Sequence, residues 1–295
     1  MTDAVFVTFL VVDGALAGAI YALVGLAFVV VYKACRIANF AVGEFVVLAS
    51  RMVAAGFHAL GLGLGGAVGV GCIGMAATAI AFNRLVLRRL AGQPVMTLIM
   101  VTIGLGALMR GATAIVFRAV PPMPPVLLEP IVVAGVPIST DKLIAAVVAV
   151  ACVAAVGAFF RASRTGLALR AIASNPQQAM GVGIDLHRHF AIAWAMVGVL
   201  SVVAGTLWTI ATGGGFGLSL IGLKVFPIVI VGGLDSIIGT VVGAFFVGIL
   251  ESLAAGYVDP VVGSAFSQVA AYLVLVAVLF VRPFGLFGRP TIERM

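Results

Sequence analysis

Residues 5–31 read Val-Phe-Val-Thr-Phe-Leu-Val-Val-Asp-Gly-Ala-Leu-Ala-Gly-Ala-Ile-Tyr-Ala-Leu-Val-Gly-Leu-Ala-Phe-Val-Val-Val, with Asp13 as the single charge in 27 positions. A helix needs about 20 mostly apolar residues to cross a bilayer, so this run is long enough to span. It is also far longer than the core of a secretory signal, and no positive charge precedes it, so it is expected to remain as a first membrane helix. Working outward, runs of similar character fall at 39–57, 59–82, 95–117, 143–160 and 190–211, with weaker-edged ones at 216–233, 237–255 and 267–281. The expectation is an all-α polytopic bundle forming one membrane domain over 1–295, with nine crossings, one more or one fewer.

Composition agrees. Hydrophobic residues make up 63% of the chain and charged ones 9%, with a mean hydropathy of +1.28; soluble domains average about 45–50% and about 25%. The formal charge of +7 lies in short clusters between apolar runs rather than along one face, which argues topology and not a nucleic-acid surface. Cys35, Cys72 and Cys152 are too scattered for a disulfide or metal pattern and are expected to pack as small apolar residues.

Twelve of the 17 basic residues follow the first, third, fifth and ninth runs: Lys33 and Arg36; Arg84, Arg88 and Arg89; Arg161, Arg164, Arg170 and Arg188; Arg282, Arg289 and Arg294. They share one side if the N-terminus is outside and the crossings alternate, and that side is the cytoplasm by the positive-inside rule. The alternation requires two crossings within 212–255, hence a hairpin turning near 232–236, although Pro227 leaves a broken or re-entrant segment open. On the opposite side, 118–142 carries Pro121, Pro122, Pro124, Pro125 and Pro130, which exclude a regular helix and favour an extended, stiff cover. Glycines four apart, Gly14 with Gly18, Gly61 with Gly65 and Gly239 with Gly243, read as close-packing sites between helices.

Chemical motifs mostly fail. Gly61, Gly63 and Gly66 match the dinucleotide fingerprint only inside a membrane run, and Gly217 to Lys224 lacks the ending of a phosphate-binding loop. Any ATP must be hydrolysed by another chain. His58, His187 and His189 offer no base to a membrane serine, which argues against an intramembrane protease. His187 and His189 with Asp185 are a poor metal set; a solvated basic edge is the plainer reading. Between Arg161 and His189, Ser174-Asn175-Pro176 supplies an N-cap followed by proline, and Gly181 and Gly183 stop the helix. A two-turn helix over 176–182 is expected, either transmitting closure of a separate ATPase or simply packing the loop.

Asn39-Phe40-Ala41-Val42-Gly43-Glu44 closely resembles the Asn-Phe-Ala-x-Gly-Glu signature of branched-chain amino-acid ABC permeases of the H type. Gly166-Leu167-Ala168-Leu169-Arg170-Ala171, Val231 to Gly239 and Arg282 to Gly288 agree with it in order. The resemblance implies an inner-membrane importer subunit with no catalytic residue or cofactor of its own. It implies a homologous M-type permease or second copy, two ATPases using ATP and Mg, and a periplasmic binding protein. It implies that Ser174, Asn175, Pro176, Gln177, Gln178, Ala179, Met180, Gly181, Val182, Gly183 and Ile184 form the coupling segment. Arg51 and Asp13 depart from the pattern, so relatives that carry urea, amides or organic acids stay in view.

Ionisable groups at membrane depth are functional suspects. With the Asn39, Phe40 and Gly43 of the signature that carries the resemblance, Glu44, Arg51 and Asp13 are candidates for the translocation path. Glu44 is expected to pair with Lys33 or Arg36. Arg51 either pairs with a buried carboxylate or faces the path; Arg110 and Lys224 lie in helices too, and Glu44 and Glu251 are the available counter-charges. A stand-alone ion-coupled transporter working through Asp13, Glu44 and Glu251 is the competing reading.

Overall fold

The computed structural model describes residues 3–90, 93–123, 128–133, 135–212, 216–263, 266–282 and 285–288. Helices occupy all nine predicted runs: α1 (Asp3–Cys35), α2 (Val42–His58), α3 (Leu64–Leu85), α4 (Val95–Val116), α5 (Thr140–Ala162), α8 (Leu186–Thr212), α9 (Phe216–Gly232), α10 (Ile237–Tyr257) and α12 (Phe266–Val281). Between them lie α6 (Arg164–Ser174), α7 (Pro176–Gly181) and α11 (Asp259–Val262). The protein is an all-α polytopic membrane bundle. Six helices have the length and hydropathy of a full span. The 17, 17 and 16 residues of α2, α9 and α12 rise only about 24–26 Å at 1.5 Å each, short of a core of about 30 Å.

The first helix is the hub: 83% of its most apolar window is buried, against 22% for α3 and α4 and 28% for α5. It packs on α10, α8, α5 and α9, and small residues permit the approach. A β-carbon on Gly14 would lie 2.6 Å from the Gly248 carbonyl oxygen, and one on Gly18 2.9 Å from that of Ala244. Gly239 and Gly243 do the same between α10 and α9, against the Gly232 and Ile228 carbonyls. Gly61 and Gly65 are the exception, since both face open space. Spacing alone does not make a packing motif; a partner backbone must be there.

Residues 216–255 form the hairpin, with no break at Pro227. α9 runs continuously through Pro227, and Gly233 at φ +106, a conformation that favours glycine, begins the turn to α10. The chain end docks on that turn: Leu286 N–H donates to Val231 C=O at 2.8 Å and Phe287 N–H to Gly232 C=O at 3.2 Å. Arg36 adds an ion pair to Asp235 at 3.7 Å. Two of the four sequence motifs thus form one joint. Arg289 and Arg294 lie outside the described residues.

Across the bundle, the 118–142 segment is a cover, as its prolines require, but it also holds a short antiparallel hairpin, β1 (Ile131–Val133) with β2 (Val136–Ile138). Gly135 at φ +80 serves the reversal. Pro124 and Pro125 lie outside the described residues.

Candidate functional site

Between α1 and α2 the backbone leaves the helix for 36–41, with Arg36 at φ +55. Non-helical backbone within a membrane bundle must be satisfied locally. The Asn39 side chain does part of this, its Oδ1 accepting from Ala41 N–H at 3.0 Å. Thr102 on α4 accepts from Phe40 N–H at 3.3 Å and donates to Ile99 C=O at 2.9 Å. Asn39 is fully buried, and its Nδ2 has no hydrogen-bond partner among the described residues. Phe40 turns outward and stacks on Phe226 of α9, centroids 4.8 Å apart.

One turn on, α2 is wedged among three helices. Gly43 meets Gly222 of α9 so closely that a β-carbon on it would lie 2.5 Å from the Gly222 α-carbon. Gly205 of α8 lies under the Val46 carbonyl, and Ser50 hydrogen-bonds Thr209 of α8 at 2.9 Å. Glu44, in the first turn of α2, takes a two-pronged contact from Arg110 of α4, Nε to Oε1 at 2.9 Å with Nη2 closing the fork. The expected partners were Lys33 and Arg36. Arg36, at the break after α1, is instead drawn to Asp235, and Lys33 on the last turn of α1 lies over the Phe160 ring at 5.9 Å. Asn39, Phe40, Gly43 and Glu44 therefore form one cluster with Thr102, Arg110, Gly222 and Phe226.

Arg51 and Asp13 stand apart from it. Arg51 Nη1 donates to the Val120 carbonyl at 3.1 Å, and His58 approaches Pro122 C=O at 3.4 Å, both beneath the proline-rich cover. The carboxylate offered as one alternative for Arg51 is not among its partners in the described residues, where a loop carbonyl takes the bond. Asp13 pairs with Lys142, at the start of α5, at 2.6 Å.

About 12 Å further along α1, Tyr21 anchors a network that sequence reasoning saw only as isolated charges. Tyr21 Oη donates to Glu251 Oε2 at 2.9 Å and accepts from Lys224 Nζ at 3.0 Å, while Lys224 pairs with Glu251 directly. Trp208 stacks on the Tyr21 ring at 5.6 Å. Lys224 and Glu251 are each 15% exposed, deep enough that an unpaired charge would be costly. Two charges 27 positions apart on neighbouring apolar helices were the only available signal.

At the end carrying the basic clusters, α6 and α7 form an elbow. Ser163 caps α6, accepting from Gly166 N–H at 2.8 Å, and Asn175 caps α7, accepting from Gln178 N–H at 3.0 Å with Pro176 following. Gly183 at φ +84 ends the unit. Met180 and Val182 are 53% and 78% exposed. Asp185 then caps α8, accepting from His187 and Arg188 N–H. Those backbone donors, Arg188 first, hold its carboxyl below the usual range. Among the described residues no group of three or more His, Cys, Asp or Glu side chains could hold a metal.

These features define a multi-pass helical membrane protein with ion pairs between its helices and a capped surface helix at one end. The family described as "branched-chain amino acid transport system / permease component" matches residues 10–281, and the chain belongs to that family. It is 27% identical to the high-affinity branched-chain amino acid transport system permease protein LivH of Escherichia coli K12, over 96% of each chain. It is equally close to BraD of Pseudomonas aeruginosa, which carries the same description. Among solved structures, PsaBC from Streptococcus pneumoniae in complex with Fab aligns over 95% of this chain and 94% of that one, with a TM-score of 0.50 at 16% identity; that likeness concerns the fold. The chain is a transport permease of the ABC type that its motifs resemble.

Proposed function

We propose that this permease imports branched-chain amino acids or similarly small solutes. In this reading it works beside a second permease, M-type or identical, above two ATPases that hydrolyse Mg-ATP, and receives solute from a periplasmic binding protein. It sits in the inner membrane with its N-terminus outside and its basic ends in the cytoplasm. The observation that carries the reading is the 174–184 segment: a two-turn helix, capped at both ends, that offers Met180 and Val182 outward at the basic end. Its relatives' names support the solute. Stand-alone ion coupling is disfavoured because Asp13, Glu44 and Glu251 are each held by a cation on another helix, which leaves none of them free to load and release an ion.

The path in this reading runs beside α2, past Phe40, Gly43, Glu44 and Arg51, with Asp13 near its outer end. Gly181 provides the test. It is exposed and has open space where a β-carbon would go, so Gly181→Trp leaves the subunit's own packing intact. In proteoliposomes containing the ATPases and binding protein, uptake of leucine should fall to background and stimulation of ATP hydrolysis by the binding protein should vanish, with assembly preserved. Undiminished uptake and stimulation would refute the coupling role.

A further inference from the structure

At the basic end a groove of about 980 Å³ opens between α3, α5 and α8, at the upper end of the roughly 300–1,000 Å³ that binding pockets occupy. Arg84, Arg88 and Arg188 stand at its mouth with His187 and a single carboxylate, Asp185. Asp185 is already engaged by the α8 backbone. The three arginines have no ion-pair partner within salt-bridge distance among the described residues, so the mouth sets three guanidinium charges against one carboxylate and is net positive. Further in, the walls turn apolar, with Ile80 of α3, Val156 of α5 and Ile192 and Met196 of α8. Asn83 lines the groove while only 4% exposed, and its amide has no hydrogen-bond partner among the described residues. Its amide is not among the buried unpaired polar groups, so it is reachable from the groove, where an acceptor on a bound molecule can meet it.

We propose that this groove binds an anionic phospholipid, with the phosphate at the arginines, an ester carbonyl accepting from Asn83 and an acyl chain along the apolar wall. A free anion would use the mouth and leave Asn83 and the wall idle. A neutral lipid would leave the arginines unanswered. The sequence of cations, then one amide, then hydrocarbon follows the layering of an anionic lipid from headgroup through glycerol ester to tail, and basic recesses between membrane helices are a recognised form of headgroup site.

The test uses the transporter assembled with its partners, purified in mild detergent, stripped of lipid and titrated with phosphatidylglycerol, phosphatidylcholine or soluble glycerol phosphate, with adducts counted by native mass spectrometry. Phosphatidylglycerol should be retained in preference to the other two. Arg88→Gln, on an exposed turn, should weaken it by about fivefold, the share of one basic residue at an anionic lipid surface. Ala195→Trp, which fills the apolar wall and alters no charge, should also displace it. Equal retention of phosphatidylcholine, indifference to both substitutions, or glycerol phosphate binding as tightly as the lipid would each overturn the proposal. So would protection of a cysteine at position 195 by a neighbouring polypeptide in the assembled complex, which would make the groove a protein interface.

Discussion

The charged side chains inside this bundle are governed by the cost of leaving any of them alone. Lys224, Glu251 and Tyr21 illustrate it: three helices contribute one group each, and every group has two of the others as partners. Removing one member of such a set strands the rest, at about 3–5 kcal/mol, whereas replacing the charged pair together by apolar residues is often neutral. Glu251→Leu should therefore destabilise the detergent-solubilised subunit strongly, and Glu251→Leu combined with Lys224→Met should recover most of the loss in the same thermal assay. Additive losses would mean that the pair is not energetically coupled. Arg51 differs, because its identified partner is a loop carbonyl. Its truncation orphans no carboxylate, so it is a position where transport can be probed without disabling the fold.

At the level of elements, the family signature around Asn39 is chiefly a solution to packing a helix that starts inside the bundle. α2 begins at Val42 after the non-helical stretch 36–41, and its first turn is fixed by Gly43 against Gly222 and by Glu44 against Arg110. A methyl group at position 43 must push α2 and α9 apart, and overpacking of this kind costs about 1–3 kcal/mol. Gly43→Ala should lower the melting temperature and Gly222→Ala should do the same. Gly104→Ala on α4, where nothing lies within 4 Å, should be neutral or slightly stabilising. Equal behaviour of all three would remove the close approach from the account. The 174–184 elbow is the opposite case, a unit whose caps, proline and glycines are all local and whose fold needs little from the bundle.

For the whole molecule, the positive-inside pattern and the contacts agree on two ends. One gathers Arg36 with Asp235, the 285–288 segment with the α9–α10 turn, the α6–α7 elbow and the lipid groove. The other gathers Asp13 with Lys142, and Arg51 and His58 with the proline-rich cover. Single cysteines at 84 and 164, in a chain lacking Cys35, Cys72 and Cys152, should resist an impermeant thiol reagent in intact spheroplasts and react after permeabilisation. A cysteine at 122 should react in both. External reaction at 164 would invert the assignment of sides.

The membrane class, the places of the nine apolar helices, the hairpin turn near 232–236 and the short helix between Asn175 and Gly183 were all legible in the residues. Each rests on short-range physics: run length against bilayer thickness, cap and breaker residues, and the bias of basic loops. Which distant groups meet was not legible there. Glu44 lies nearer in sequence to Lys33 and Arg36 than to Arg110, yet it pairs with Arg110. Gly61 and Gly65 share the spacing of Gly14 and Gly18, yet a β-carbon on either would meet nothing within 4 Å among the described residues. Hydropathy and spacing report a residue's preference for a kind of environment; the identity of its neighbour depends on how helices cross, and that is settled by close packing over the whole bundle.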